Sequence, residues 1–115
     1  MKAKPDYEGE LAAIFDAEIE DKYVRQHPVL NPKTKRHWHL DFAFLEYRLC
    51  VEVDGGTWGK SIHGYGKPYQ AQCYRTLMLT IQGWVICRVT PELIRGGQAL
   101  EWVKFALSHR REGMK

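Results

Sequence analysis

Residues 36–58, RHWHLDFAFLEYRLCVEVDGGTW, constrain the chain more than any other stretch, because two period-two runs flank a centre that admits only a tight turn. Trp38, Leu40, Phe42 and Phe44 alternate with His37, His39, Asp41 and Ala43, the pattern of a half-buried strand. In the second run Leu49, Val51 and Val53 share one face, and Cys50, Glu52 and Asp54 share the other. A two-residue turn at Glu46-Tyr47 sets position 41 directly opposite position 52. Both carboxylates then leave the same face, with Cβ atoms about 5 Å apart. Asp54 lies one pleat further along, and Gly55-Gly56 ends the strand with no side chain to block an approach. Carboxylates this close repel one another unless a cation sits between them. Acidic residues on the wet face of an edge hairpin also serve simply as solubility devices, so spacing alone leaves both readings open.

A chain of 115 residues, 44% hydrophobic and 12% aromatic, supports one globular domain, taken here as residues 1–115. No run of 18 apolar residues occurs, so no membrane span is expected. The polar, acidic N-terminus lacks the pattern of a signal peptide. Cys50, Cys73 and Cys87 are odd in number and form no C-x-x-C, which points to a reducing, cytoplasmic setting and to small buried apolar roles. The net charge of +3 hides an asymmetry: residues 1–21 carry a net of −5 and the remainder a net of +8. A basic body with one acidic helix fits a nucleic-acid-binding face interrupted by a metal site, and equally a solvated surface.

The acidic segment predicts a helix from about Tyr7 to Asp21, with Leu11, Ile14, Phe15 and Ile19 as its buried stripe. Glu10 flanks that stripe and Glu18 falls within it, so either is a candidate further acid. The prolines and Asn31 of residues 25–36 rule out a helix, and the basic cluster is a loop feeding the first long strand, whose Lys33, Lys35 and Arg36 suit phosphate contacts or plain solvation. Residues 55–68 form a glycine-rich loop carrying Lys60, His63 and Lys67, without the spacing of a P-loop. A helix follows from Pro68 to about Gln82, capped by Gly83, with Tyr74, Leu77, Met78 and Ile81 facing the core and Gln72 and Arg75 sharing another face. Residues 84–89 form a third strand apolar enough for a sheet interior, and a last helix begins near Pro91 and includes Leu100, Val103 and Leu107, with a frayed tail from Ser108. The order helix, strand, strand, helix, strand, helix contains one crossover, so the third strand should run parallel to a neighbour.

Arg25-Gln-His-Pro28, Leu40-Asp-Phe-Ala43, Val51-Glu-Val-Asp-Gly-Gly56 and Gly83-Trp-Val-Ile-Cys-Arg88, in this order, resemble the very-short-patch-repair-type domains of the PD-(D/E)XK nuclease superfamily. The resemblance spans about Glu10 to Arg88. It implies an α/β fold with a restriction-endonuclease-like core, a small mixed β-sheet flanked by helices. It matches the family's strand aspartate to Asp41, its E-x-D-G-G to Glu52 through Gly56, and its helix acid to Glu10 rather than Glu18. Two departures stand out. The superfamily lysine two residues after the glutamate is Asp54, as in this subgroup, and the acid three residues before Arg75 is Gln72. An amide orients a water but neither holds charge nor acts as a general base.

The resemblance implies a metal-dependent DNA endonuclease. Asp41 and Glu52, with the Val53 carbonyl, would hold Mg²⁺ (or Mn²⁺), and Glu10 would bind it through water or help bind a second ion. Asp54 belongs to the same catalytic set. Arg75, Lys60 or Lys67 would supply the charge of the absent lysine, and His63 and Gln72 would contact DNA. His37 and His39 share a strand face with Asp41, but nothing completes a tetrahedral zinc set. The alternative, favoured by Gln72, is a catalytically weakened or silent relative that binds nucleic acid or a protein partner. A narrower alternative is a branched-DNA (Holliday junction) resolvase, which would need a homodimer.

Overall fold

The computed structural model describes residues 5–55 and 67–114. The elements run α1 (Tyr7–Glu18), β1 (Val24–Leu30), β2 (His37–Phe44), a 3₁₀ turn (Leu45–Tyr47), β3 (Leu49–Val53), α2 (Lys67–Ile81), β4 (Val85–Val89), α3 (Pro91–Arg95) and α4 (Gln98–Gly113). The strands form one mixed sheet in the order β1-β2-β3-β4, antiparallel except for the parallel β3–β4 pair made by the α2 crossover. The pairs Phe42↔Val51, Ala43↔Cys50 and Phe44↔Leu49 are the register that a turn centred on Glu46-Tyr47 demands. Arg48 closes that turn in the left-handed region, at φ 52°.

Two layers of helix cover the sheet. On one face Leu11, Ala12 and Phe15 of α1, Ile94 of α3, and Ala99, Val103 and Leu107 of α4 pack on Phe42, Phe44, Leu49, Val51 and Val89. Phe15 meets Phe42 edge-on with ring centroids 5.0 Å apart and Phe44 at 5.7 Å. Such pairs contribute about 0.5–1.5 kcal/mol each beyond burial, and they fix α1 against the middle of β2. On the other face Leu79 of α2 and Trp84 pack on Val29, Leu40, Ala43 and Cys50.

Several expectations are corrected. Residues 24–30, for which no strand was expected, form β1. Pro28 fits there because β1 is an edge strand, where a missing N–H disrupts no inner ladder. β4, expected in the sheet interior, is the opposite edge, with Val85 39% exposed. Leu40 and Phe42, expected on one face, pack on opposite faces. The alternation breaks beside Gln26, which lies between the pairs Arg25↔Phe42 and His27↔Leu40 and adopts φ 53°. On α2 the buried residues are Arg75 and Leu79, whereas Leu77 and Ile81 are 53% and 67% exposed. The single last helix is two, broken at Gly96-Gly97, where Gly97 takes φ 90°. The tail is not frayed: α4 continues to Gly113, and Arg110 Nε donates to the Tyr47 carbonyl at 2.8 Å. Arg111 grips both carboxylate oxygens of Asp21. Among the described residues no helix is long and apolar enough to cross a membrane.

Candidate functional site

The site lies where β2 and β3 pass beneath α2. One step beyond the Phe42↔Val51 pair, the two strands bring Asp41 level with Glu52. Their carboxylates are tied crosswise. The Val53 N–H donates to Asp41 Oδ2 at 2.8 Å, and the Asp41 N–H donates to Glu52 Oε2 at 3.2 Å. Burial pushes the Asp41 carboxyl up to about 6, aided by the charges of Glu52 and Glu8 and opposed by hydrogen bonds from Val53 and Gln26.

The irregular backbone at Gln26 has a local consequence. Its side-chain amide nitrogen donates to Asp41 Oδ1 at 3.2 Å and to Glu8 Oε1 at 2.9 Å. Glu8 also pairs with Arg25 at 2.7 Å. A left-handed residue in an edge strand thus links the first turn of α1 to the strand aspartate, a common use of strand irregularities beside functional groups. The α1 acid connected to Asp41 is therefore Glu8. Glu10 pairs with Arg95 at 3.0 Å, and that contact holds its carboxyl below the usual range. Glu18 lies near Lys104, at 3.8 Å. Glu8 precedes the buried Leu11, Ala12 and Phe15 by three, four and seven residues, so its helix face was readable in the sequence, although its partner Gln26 was not.

Above the carboxylates is a polar cavity of about 330 Å³, lined in part by His39, Asp41, Glu52, Asp54, Gln72 and Arg75. Arg75 and Gln72, expected on one helix face, both reach it. Arg75 forms an ion pair with Glu52 through Nη2 and Oε1, the two side chains being 11% and 7% exposed. An arginine inside a small fold is tolerated only with such a partner. Its charge is thus directed at Glu52 rather than at open solvent. Gln72 Oε1 is buried with no hydrogen-bond partner among the described residues, although other parts of the side chain line the cavity. Asp54 points to Arg88 at 3.7 Å, a residue that stands out in the sequence only as the last of the Gly83–Arg88 motif.

The basic turn between β1 and β2 folds toward this rim. Lys33 Nζ sits 4.3 Å above the Tyr74 ring, and Tyr74 lies 6.0 Å from Trp38, which also lines the cavity. Lys35 and Arg36 are exposed in the same turn, and Lys67 is exposed at the start of α2. Lys60, His63 and Gly56 lie outside the described residues. His37 is exposed, and among the described residues no three His, Cys, Asp or Glu side chains form a ligand cluster. Cys50 is buried, which pushes its thiol up to about 12, so it is a packing residue.

No family model, curated protein or solved structure matches the chain. The donor chemistry can be judged directly. Asp41 and Glu52 offer oxygen only, which suits a hard cation. Mg²⁺ commonly takes one or two carboxylates and keeps several waters, so the pair meets its need without a third acid. Burial is the main cause of the raised Asp41 carboxyl, and the neighbouring charges of Glu52 and Glu8 add to it.

Proposed function

We propose that the chain is a divalent-metal-dependent endonuclease that hydrolyses DNA phosphodiester bonds, on a restriction-endonuclease-like core. The observation that carries this reading is the pairing of Asp41 with Glu52 across β2 and β3, at the floor of a polar cavity with arginines in its wall. Mg²⁺ or Mn²⁺ held by these carboxylates would supply Lewis acidity toward the phosphodiester and offset their mutual repulsion. The chain supplies the rest. Glu8 and Gln26 fix the rotamer of Asp41. Arg75 orients Glu52 by holding one of its oxygens. Gln72, whose side chain lines the cavity, would orient the attacking water. That water gives up a proton to solvent as it adds to phosphorus, an ester P–O bond breaks, and the leaving oxygen takes a proton from solvent. Lys33, Lys35 and Arg36 receive the flanking backbone as phosphate contacts. A DNA substrate and three unpaired cysteines together favour action inside the cell.

One observation favours the silent nucleic-acid binder instead: Glu52 is already neutralised by Arg75. A cleavage assay separates the two. Linear, nicked, flapped and four-way DNA are incubated with the protein in Mg²⁺, Mn²⁺ or EDTA. The endonuclease reading expects cutting that EDTA abolishes. Binding without cutting of any substrate in Mn²⁺ would overturn it. Cutting confined to four-way DNA by a dimeric species would select the resolvase form.

A further inference from the structure

We infer that Arg88, on the strand next to Glu52, is the phosphate-binding cation of this site. The inference rests on the hydrolytic reading above. In the β3–β4 ladder Arg88 is the register partner of Glu52, and both side chains line the same cavity beneath α2. Its guanidinium approaches Asp54, the position two residues after Glu52, at 3.7 Å. Strand β4 therefore delivers positive charge to the place where position 54 contributes a negative one.

The two cavity arginines differ in what they are free to do. Arg75 is 11% exposed and bonded to Glu52, so moving it would strand a buried carboxylate. Arg88 is 32% exposed. Besides Asp54 it reaches Thr76 Oγ1, at 3.5 Å. Both contacts are long for hydrogen bonds of a guanidinium, which carries five donors in a planar fork. Arg88 also lines a second cavity, of about 470 Å³, with Asp54, Tyr69, Gln72, Cys73 and Thr76. It thus lines both cavities, which also share Asp54 and Gln72. A phosphodiester entering over Asp41 and Glu52 would offer two non-bridging oxygens to this fork, a geometry that guanidinium matches and ammonium does not. Arg88 transfers no proton. It stabilises the charge that grows on the phosphoryl oxygens as water adds and the ester bond breaks.

The test compares single-turnover cleavage and DNA affinity for wild type, Arg88→Gln, Arg88→Lys and Arg88→Gly, the last with and without ethylguanidinium, all in Mn²⁺. Arg88→Gln should lose roughly 10²–10³ in rate, the usual loss for one transition-state donor. Its affinity should fall far less, and its thermal unfolding should match wild type. Arg88→Lys should recover part of the rate, and ethylguanidinium should restore cutting to Arg88→Gly in a saturable way. Cleavage by Arg88→Gln at the wild-type rate would overturn the role of Arg88 and leave the hydrolytic reading standing. Loss of rate with no rescue by lysine or ethylguanidinium would assign Arg88 a structural role and likewise overturn the inference. Wild type that cuts nothing would overturn the hydrolytic reading and the inference with it.

Discussion

Arg75 of α2 and Glu52 of β3 form a buried ion pair that ties the helix to the sheet directly over the site. The pair does two things at once: it seats α2, and it fixes one oxygen of the carboxylate beside Asp41. Arg75→Met removes the cation and leaves Glu52 unpaired in the interior. We expect a loss of about 3–5 kcal/mol, read from urea unfolding. The double variant Arg75→Met/Glu52→Gln should regain most of it, since neither side then carries a buried charge. Wild-type stability in Arg75→Met alone would mean that the pair anchors nothing.

Asp41 makes stability depend on pH with a definite sign. Its carboxyl is raised from 3.8 to about 6, so the folded chain holds this proton more tightly than the unfolded one. The stabilisation from this group is complete below the ordinary carboxylate value and is lost as pH rises through about 6. In EDTA, Asp41→Asn should flatten that part of the profile and raise the urea midpoint at pH 7.5. An unchanged profile between pH 4 and pH 7 would show that Asp41 is not the group responsible.

Glu8 and Glu10 can be told apart by what each does to Asp41. The charge of Glu8 helps to raise the Asp41 carboxyl, whereas Glu10 is occupied by Arg95. Glu8→Gln should move the Asp41 midpoint down, followed by carboxyl-carbon NMR, and Glu10→Gln should leave it in place. The reverse result would restore Glu10 as the α1 acid of the site.

The basic turn should govern affinity rather than chemistry. Neutralising Lys33, Lys35 and Arg36 together should weaken DNA binding. On duplex DNA it should also lower the slope of log affinity against log salt by about 0.9 for each phosphate that these side chains neutralise in the wild type. A salt slope that does not change in the triple variant would place the DNA elsewhere.

What the sequence displayed and what it concealed divide along physical lines. The β2–β3 register was legible because turn and alternation agree locally, and the structure pairs Phe42 with Val51 as that turn requires. The mixed sheet with one parallel pair followed from a strand–helix–strand crossover. Strand β1 was hidden by Pro28, which reads as a breaker until the strand is known to be an edge. The swap of Leu40 and Phe42 between faces depends on the left-handed Gln26, and glutamine carries no signal for that conformation. The packed face of α2 was misread because it buries an arginine. Apolar periodicity cannot register that choice when the compensating Glu52 lies 23 residues away. The acidic pair was therefore visible, while the cations that answer it, Arg75 on Glu52 and Arg88 on Asp54, needed the fold.

The central claim is that Asp41 and Glu52 together make a divalent-cation site. Titration of Mn²⁺ into the wild type and Asp41→Asn, by calorimetry in two buffers of different ionisation heat at pH 6, tests it most directly. Wild type should bind Mn²⁺ with net proton release, because the Asp41 carboxyl is raised to about 6 and must ionise to bind the cation. Asp41→Asn should bind roughly tenfold more weakly or worse, as expected when a site of few protein ligands loses one. Equal binding by the two proteins, or no binding by wild type, would contradict that claim.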